Sequence, residues 1–202
     1  MNNQDYEKTK IAIRYWLYGA KYFNAVKAMD LGLSVHVGLR RGGTPEFSHQ
    51  IAQLNYARTL DPYFMYPEET YTTICLHDIV EDYNYSLVTI KNDYGSKVAH
   101  SVGLMTKKRN YDLIEYHYEI SKDPIASLDK GFDRGHNHQS MLGVFSSEKM
   151  QAYIAETKAY ILPGIKASRK LFPSQEPAYQ NIASVLKMQI EWAENVLQGE
   201  RR

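Results

Sequence analysis

The chain has 202 residues, 44% of them apolar and 23% charged, with 24 Lys plus Arg set against 23 Asp plus Glu. That is the length of one ordinary domain, which withdraws roughly 70% of its unfolded surface from water, and the composition excludes a disordered or membrane-embedded chain. A net charge of +1 leaves no global field for a nucleic-acid polymer, so an anionic ligand has to be met by a local cluster.

No apolar run approaches the ~20 residues of a membrane span, and the first residues lack the basic and apolar parts of a secretory signal. A lone cysteine, Cys75, excludes an internal disulfide. Together these predict a cytoplasmic protein in reducing surroundings, with no membrane partner. Without repeats or Gly/Ser linkers, residues 1–202 read as a single domain, with C-terminal helices over 147–198.

The patterning is helical rather than alternating. One helix is predicted from Asp5 to about Asp30, on a face of Ile11, Trp16, Phe23 and Val26. Residues Leu31 to Thr44, rich in glycine, read mostly as loop, and Phe47, Ile51 and Leu54 resume a helix ending near Asp61-Pro62. Pro67-Glu68-Glu69 opens the next, with proline in the first turn and acids at the positive end of the dipole, running through Ile79 to about Asp82. Ser86 caps a short helix that stops at Gly95. Further helices are predicted around Val98–Met105, Tyr111–Ser121 and from Pro124 through Phe132. The C-terminal third gives two or three more, broken at Pro163-Gly164 and Pro173, the last with a stripe of Ile182, Val185, Gln189, Trp192 and Val196. The predicted class is an all-α helical bundle.

The chemistry concentrates in His77-Asp78-Ile79-Val80-Glu81-Asp82. On one continuous helix the imidazole and three carboxylates fall within an arc of roughly 140°, a surface suited to a divalent metal with a base beside it. A solvated acidic helix end is the plainer alternative, but negative charge is disfavoured in a C-terminal turn. A His-Asp pair arises by chance in about one such chain in three, whereas adding Glu-Asp at the fixed offset reduces this to roughly one in a thousand. His49, upstream, and Asp133, downstream, would complete a His₂Asp₂ set appropriate to Mn²⁺, Fe²⁺, Zn²⁺ or Mg²⁺. Isolated, each would read as structural; their order around the His-Asp pair raises them.

That order, His … His-Asp … Asp, resembles the HD phosphohydrolase superfamily, and within it the hydrolase domain of RelA/SpoT-type alarmone enzymes and small alarmone hydrolases. Arg40-Arg41-Gly42-Gly43-Thr44-Pro45-Glu46-Phe47-Ser48-His49 is similar to that branch's Arg-Lys-x-Gly-x-Pro-Tyr-x-x-His. Leu76 to Asp82 resembles its Leu-His-Asp-x-x-Glu-Asp, and Asp93–Val98 and Met105-Thr106-Lys107 its Phe-Gly-x-x-Val and Val-Thr-Lys. Lys130 to Asn137 resembles its Lys-x-x-Asp-Arg-x-x-Asn. The motif-bearing core spans about residues 36–142.

The resemblance implies an HD-domain bundle in which His49, His77, Asp78 and Asp133 hold one divalent metal, Mn²⁺ by expectation. Glu81 and Asp82 would position and deprotonate the attacking water. Arg40 would stack on the purine, and Arg41 and Asn137 would contact ribose or phosphates. The reaction implied is hydrolysis of (p)ppGpp to GDP or GTP and pyrophosphate by a stand-alone hydrolase. A guanidinium offers the flat face and forked donors such roles require, although Arg40-Arg41 also reads as an exposed basic loop.

The chain departs from the pattern at Arg41 for Lys, Gly42 for Ser, Glu46 for Tyr and Tyr83 for Thr, which alters the entrance. His36-Val37-Gly38 matches a His-x-Gly-Gln stretch one residue short in register, leaving open which arginine holds the base. His136 and His138 flank Asn137 within reach of a phosphate, but read first as packing or exposed residues; Cys75 reads as core. Two rivals stand beside the alarmone reading. One is an HD nucleotidase on another ester, such as a deoxynucleotide or the 2′-phosphate of NADPH. The other is a domain that binds nucleotide or a protein partner without turnover.

Overall fold

In the computed structural model, which describes residues 3–107 and 109–199, helices follow one another with no strand among the described residues. The all-α prediction holds, and no described helix is long and apolar enough to cross a membrane. An isolated antiparallel bridge, Leu39 with Pro45, closes the glycine-rich loop.

The first predicted helix is two: α1, Asn3–Gly19, and α2, Phe23–Val35. Lys21 turns the chain in the left-handed region (φ 64°). The reversal buries Tyr6, Ile13 and Leu17 of α1 with Ala25, Val26, Ala28 and Met29 of α2, whereas Ile11 and Phe23 of the predicted face are exposed. The second helix also runs on to Val35, into the stretch read as loop.

Next come α3, Ser48–Ala57, with a 3₁₀ extension Arg58–Tyr63, and α4, Pro67–Leu76. The fourth helix does not continue to Asp82 as predicted. At Asp78 the backbone flattens (φ −90°, ψ −11°), and a separate short α5, Ile79–Tyr83, begins, ended by left-handed Asn84. His77 thereby points into the core at 3% exposure while Glu81 and Asp82 are exposed, so the single-face arc is corrected.

Ser86 caps α6, Leu87–Tyr94, its side chain accepting from Val88 N, and Gly95 at φ 92° links it to α7, Ser96–Met105. Then follow α8, Leu113–Ser121, and α9, Ala126–Met141. The predicted break at Pro163 is absent: α10, Ser147–Glu156, passes through a π-turn, Thr157–Ile161, into α11, Leu162–Leu171. Leu162 N–H bonds five residues back to Thr157 O, and proline follows in the opening turn, where its lack of an N–H is tolerated. A 3₁₀ turn at Pro173–Gln175 leads to α12, Glu176–Gly199. Its buried residues are Ala178, Tyr179, Ile182, Leu186, Ile190, Ala193 and Leu197; of the predicted stripe Ile182 is buried, Val185, Gln189 and Val196 are half-buried, and Trp192 is 58% exposed.

The packing puts α9 at the centre, against α3, α4, α7, α8 and α12. The largest apolar cluster draws on helices from α1 to α12, with satellites around Met150–Ile190 and Met105–Tyr116. One close approach positions the site: Phe47, immediately before α3, presses on α2 at Gly32, where a Cβ would lie 2.2 Å from the ring. Gly32→Ala therefore forces Phe47, and with it the start of α3, outward. Urea unfolding should show a loss of about 1–3 kcal/mol, the usual cost of overpacking. Gly42→Ala, with nothing within 4 Å of the new Cβ, should unfold like wild type.

Candidate metal centre and cleft

Mutually packed α3, α4 and α9 each deliver one side chain to a common point. His49 comes from the first turn of α3, His77 from the end of α4 and Asp133 from the middle of α9. They are 3%, 3% and 8% exposed. One ligand atom from each lies within 4.8 Å of the others, a donor set able to hold a metal ion.

The hydrogen bonds fit that use. His77 Nδ1 donates to the Ile74 carbonyl at 3.0 Å, which leaves Nε2 as the ring nitrogen available to a ligand. That Nε2 is buried without a hydrogen-bond partner; Asp78 Oδ2 sits 3.0 Å away but off the bonding direction. His49 Nδ1 lies 2.6 Å from His136 Nδ1, a contact that requires one of the two to donate. With the proton on His49, its Nε2 lone pair faces Asp133 Oδ1 at 3.1 Å. A nitrogen and a carboxylate oxygen so placed could share a cation, and outer-shell hydrogen bonds of this kind orient metal-binding imidazoles. Gln53 Nε2 sits 2.7 Å from the same His49 nitrogen, and Gln50 Nε2 donates to Asp78 Oδ2 at 3.2 Å.

The electrostatics are those of a crowded, buried site. Burial opposes charge on Asp133, but the Lys130 ammonium 3.0 Å away and the two imidazoles hold its carboxyl well below the usual range. Burial likewise opposes an imidazolium at His77, yet Asp78 and Asp129 push it up to about 10. Asp78 is held at about 2: burial works against the carboxylate and His77 outweighs it. Asp129 is fully buried behind His77, 3.6 Å from Nδ1, and burial raises it to about 7. Burial, then His49, lowers His136 to about 3.

A cavity of about 180 Å³ opens over the three ligand residues, lined also by Arg40, Asp78, Glu81, Lys107, Lys130 and Arg134. Arg40, Asn137 and Tyr153 are shared with an outer cavity of about 440 Å³, which adds Arg41, His136 and Lys149. Arg40, half-buried, thus stands between the two, while exposed Arg41 lines only the outer one. Glu81 Oε2 accepts from Lys107 N at 2.9 Å. Asp82 lines neither cavity; partial burial, Asp78 and Glu81 raise its pKa. Asn137 Nδ2 donates to Asp133 Oδ1 at 2.6 Å, so its amide braces the carboxylate.

Several neighbours were not singled out from the sequence. Asp129 precedes Asp133 by one helical turn, an i, i+4 carboxylate pair visible in principle. Lys149 and Tyr153 of α10 belong to no motif, and only their own i, i+4 spacing hints at a shared face. His136 contacts His49, whereas His138 is the packing residue expected, bonded to Thr157 Oγ1 at 2.8 Å. Cys75 is buried core.

No family model matches the chain. A curated relative from Mycobacterium leprae (strain TN), described as a probable GTP pyrophosphokinase, is 28% identical over 134 residues, covering 62% of this chain. The matched part is 16% of the relative, so the chain spans only a small fraction of its length.

Behind the cavity, Arg134 Nη2 donates to Glu156 Oε1 at 2.5 Å, and His117 Nε2 lies 3.2 Å from the same oxygen. Burial works against that carboxylate, but His117 and Arg134 bring it to about 2. Glu156→Gln leaves a buried guanidinium uncompensated. It should cost about 3 kcal/mol at pH 7, the low end for a buried pair because a fifth of the Glu156 side chain is in water. A folded pKa below the ordinary 4.5 stabilises above that pH, so the gap to wild type should close as pH falls from 4.5 through about 2 in denaturant titrations.

Proposed function

We propose that the chain is a divalent-metal-dependent phosphohydrolase acting on guanosine 3′-diphosphate alarmones, with Mn²⁺ as its ion. The buried His49–His77–Asp133 donor set at the floor of a cleft walled by arginines and lysines carries the reading. The match to a protein described as a GTP pyrophosphokinase supports the substrate class: that name denotes diphosphate transfer to GTP, and the proposed reaction removes such a diphosphate.

His49, His77 and Asp133 hold the ion, joined by Asp78 from beside His77. A divalent ion there lowers the pKa of water and neutralises phosphate oxygens. Glu81, on the cavity wall with one oxygen fixed by the Lys107 amide, takes the proton from the attacking water. Asp82, the next residue, lines neither cavity and acts with Glu81 as the outer member of the acid pair that positions and deprotonates the water. The water oxygen bonds to the ribose-proximal phosphorus, the bond from that phosphorus to O3′ breaks, and O3′ takes up a proton. The products are pyrophosphate and GDP or GTP. Arg40, at the junction of the two cavities, stacks on the guanine; Arg41 meets the outer phosphates; Asn137 contacts the ribose while bracing Asp133.

Incubation of the protein with Mn²⁺ and a nucleotide panel should release pyrophosphate from ppGpp and leave ATP and simple phosphate esters intact. Equal activity across the panel, or orthophosphate as the product, overturns the substrate assignment. His77→Ala and Asp133→Ala should lose bound metal by elemental analysis and keep their helical circular dichroism. Glu81→Gln should keep the metal and lose on the order of 10²–10⁴ in turnover.

A further inference from the structure

Asp129 is fully buried on α9, one turn before Asp133, and the proposed reaction makes no use of it. It stands one residue ahead of the Lys130–Asn137 motif, so no motif match covers it. Neither of its carboxylate oxygens has a hydrogen-bond partner. A buried carboxylate in that condition destabilises the fold, and by more than a neutral group would. Among the described residues one ion-pair partner stands near it, the His77 ring: Oδ1 lies 3.6 Å from Nδ1.

Two acids therefore flank one imidazole, each beside a different ring nitrogen. Asp78 Oδ2 lies 3.0 Å from Nε2; about a third exposed, it also accepts from Gln50. Asp129 is on the Nδ1 side, where the N–H already donates to the Ile74 carbonyl at 3.0 Å. At 3.6 Å its carboxylate is too distant for a second hydrogen bond, so what it supplies is charge. A negative charge behind Nδ1–H favours that tautomer and makes Nε2 the more basic nitrogen. Outer-shell carboxylates act on metal-bound imidazoles in this way, and losing one costs about 10–100-fold in metal affinity.

We propose that Asp129 is a positioning residue for the metal centre: from behind His77 its carboxylate holds the ring in the tautomer that presents Nε2 to the ion and strengthens Nε2 as a donor, without touching the ion itself. Asp129 and Asp133 are i, i+4 on one helix, so α9 supplies one acid to the ion and a second to the back of a histidine that binds it. The inference rests on the metal-centre part of the reading above and is independent of which ester is hydrolysed.

The experiment is calorimetric titration with Mn²⁺ of the full chain, dialysed against EDTA beforehand, in wild type, Asp129→Asn and Asp129→Glu. The first substitution keeps the shape and removes the charge; the second keeps the charge and adds a methylene. Asp129→Asn should bind Mn²⁺ about 10–100-fold more weakly than wild type, with Asp129→Glu in between. Circular dichroism of the metal-free proteins identifies the variants that fold. Asp129→Ala repeats the charge removal if Asp129→Asn does not fold, and Asp129→Asn against wild type decides if Asp129→Glu does not. Wild-type affinity in Asp129→Asn overturns the positioning role and leaves the metal centre standing. So does an Asp129→Asn that binds more tightly than a folded Asp129→Glu, since shape rather than charge then decides. A wild-type protein that takes up no Mn²⁺ overturns the positioning role and the metal centre together. The expected ordering in a protein that leaves ppGpp intact upholds Asp129 and removes the alarmone assignment instead.

Discussion

The central helix α9 buries Asp129, Lys130, Asp133, Arg134 and His138 within three turns. Charged groups in a packed interior are tolerated only when each finds an opposite charge or a full set of hydrogen bonds. Lys130 meets Asp133, Arg134 meets Glu156 of α10, and His138 meets Thr157 in the π-turn. The geometry of α10 and the wide turn after it thus follows from what α9 has to neutralise. Asp129 and His77 are the remainder: the carboxylate has no hydrogen-bond partner, and the imidazole has one at Nδ1 and none at Nε2. Asp129 pairs with the far side of the His77 ring at 3.6 Å, which leaves His77 Nε2 beside His49 and Asp133 in a group that could hold a metal ion.

The same constraint orders the two histidines. In each, Nδ1 sits against a fixed partner, the Ile74 carbonyl for His77 and the His136 ring for His49, and Nε2 turns to Asp133 or the space beside it. The pattern repeats on two unrelated helices: His77 Nε2 is left without a hydrogen-bond partner, and His49 Nε2 lies against Gln53 and Asp133. Asp78 approaches from the solvent side: about a third exposed, it accepts from Gln50 and sits 3.0 Å from His77 Nε2.

How far the sequence was legible follows from where the information lies. His77, Asp78, Glu81 and Asp82 stand out because their fixed offsets rarely arise by chance, and His49 and Asp133 by their order around the pair; of these the fold gathers His49, His77 and Asp133. Helix boundaries followed caps well where a cap exists, at Ser86 and Gly95, and poorly where tertiary packing decides. Nothing local distinguishes Lys21 as a reversal or Asp78 as a break, because each is set by what the flanking helices bury. Residues 176–199 carry apolar side chains on more than one face, and only the position of α9 selects Ile182, Leu186 and Ile190 over Val185 and Trp192. Lys149 and Tyr153 enter the cleft through the placement of a whole helix, which no spacing within α10 encodes.

Two departures from the motif pattern turn out to be one. Glu46 and Tyr83, in separate segments, meet: the Tyr83 hydroxyl donates to Glu46 Oε2 at 2.7 Å, and the same oxygen accepts from Gly38 N at 3.3 Å. Glu46 N in turn donates to Gly38 O, while Arg40 N donates to Thr44 O inside the Leu39–Pro45 bridge. Tyr83 closes α5, the helix of Glu81 and Asp82, so the pair ties the arginine loop to the acidic helix. His36 packs on both Tyr83 and Phe47, and Phe47 leads into His49. An acid at position 46 or a phenol at 83 alone would add only an unmatched polar group at the entrance. Together they brace the loop that carries Arg40 at a fixed height above the buried donor set, which is a reason for the two substitutions to occur in the same chain.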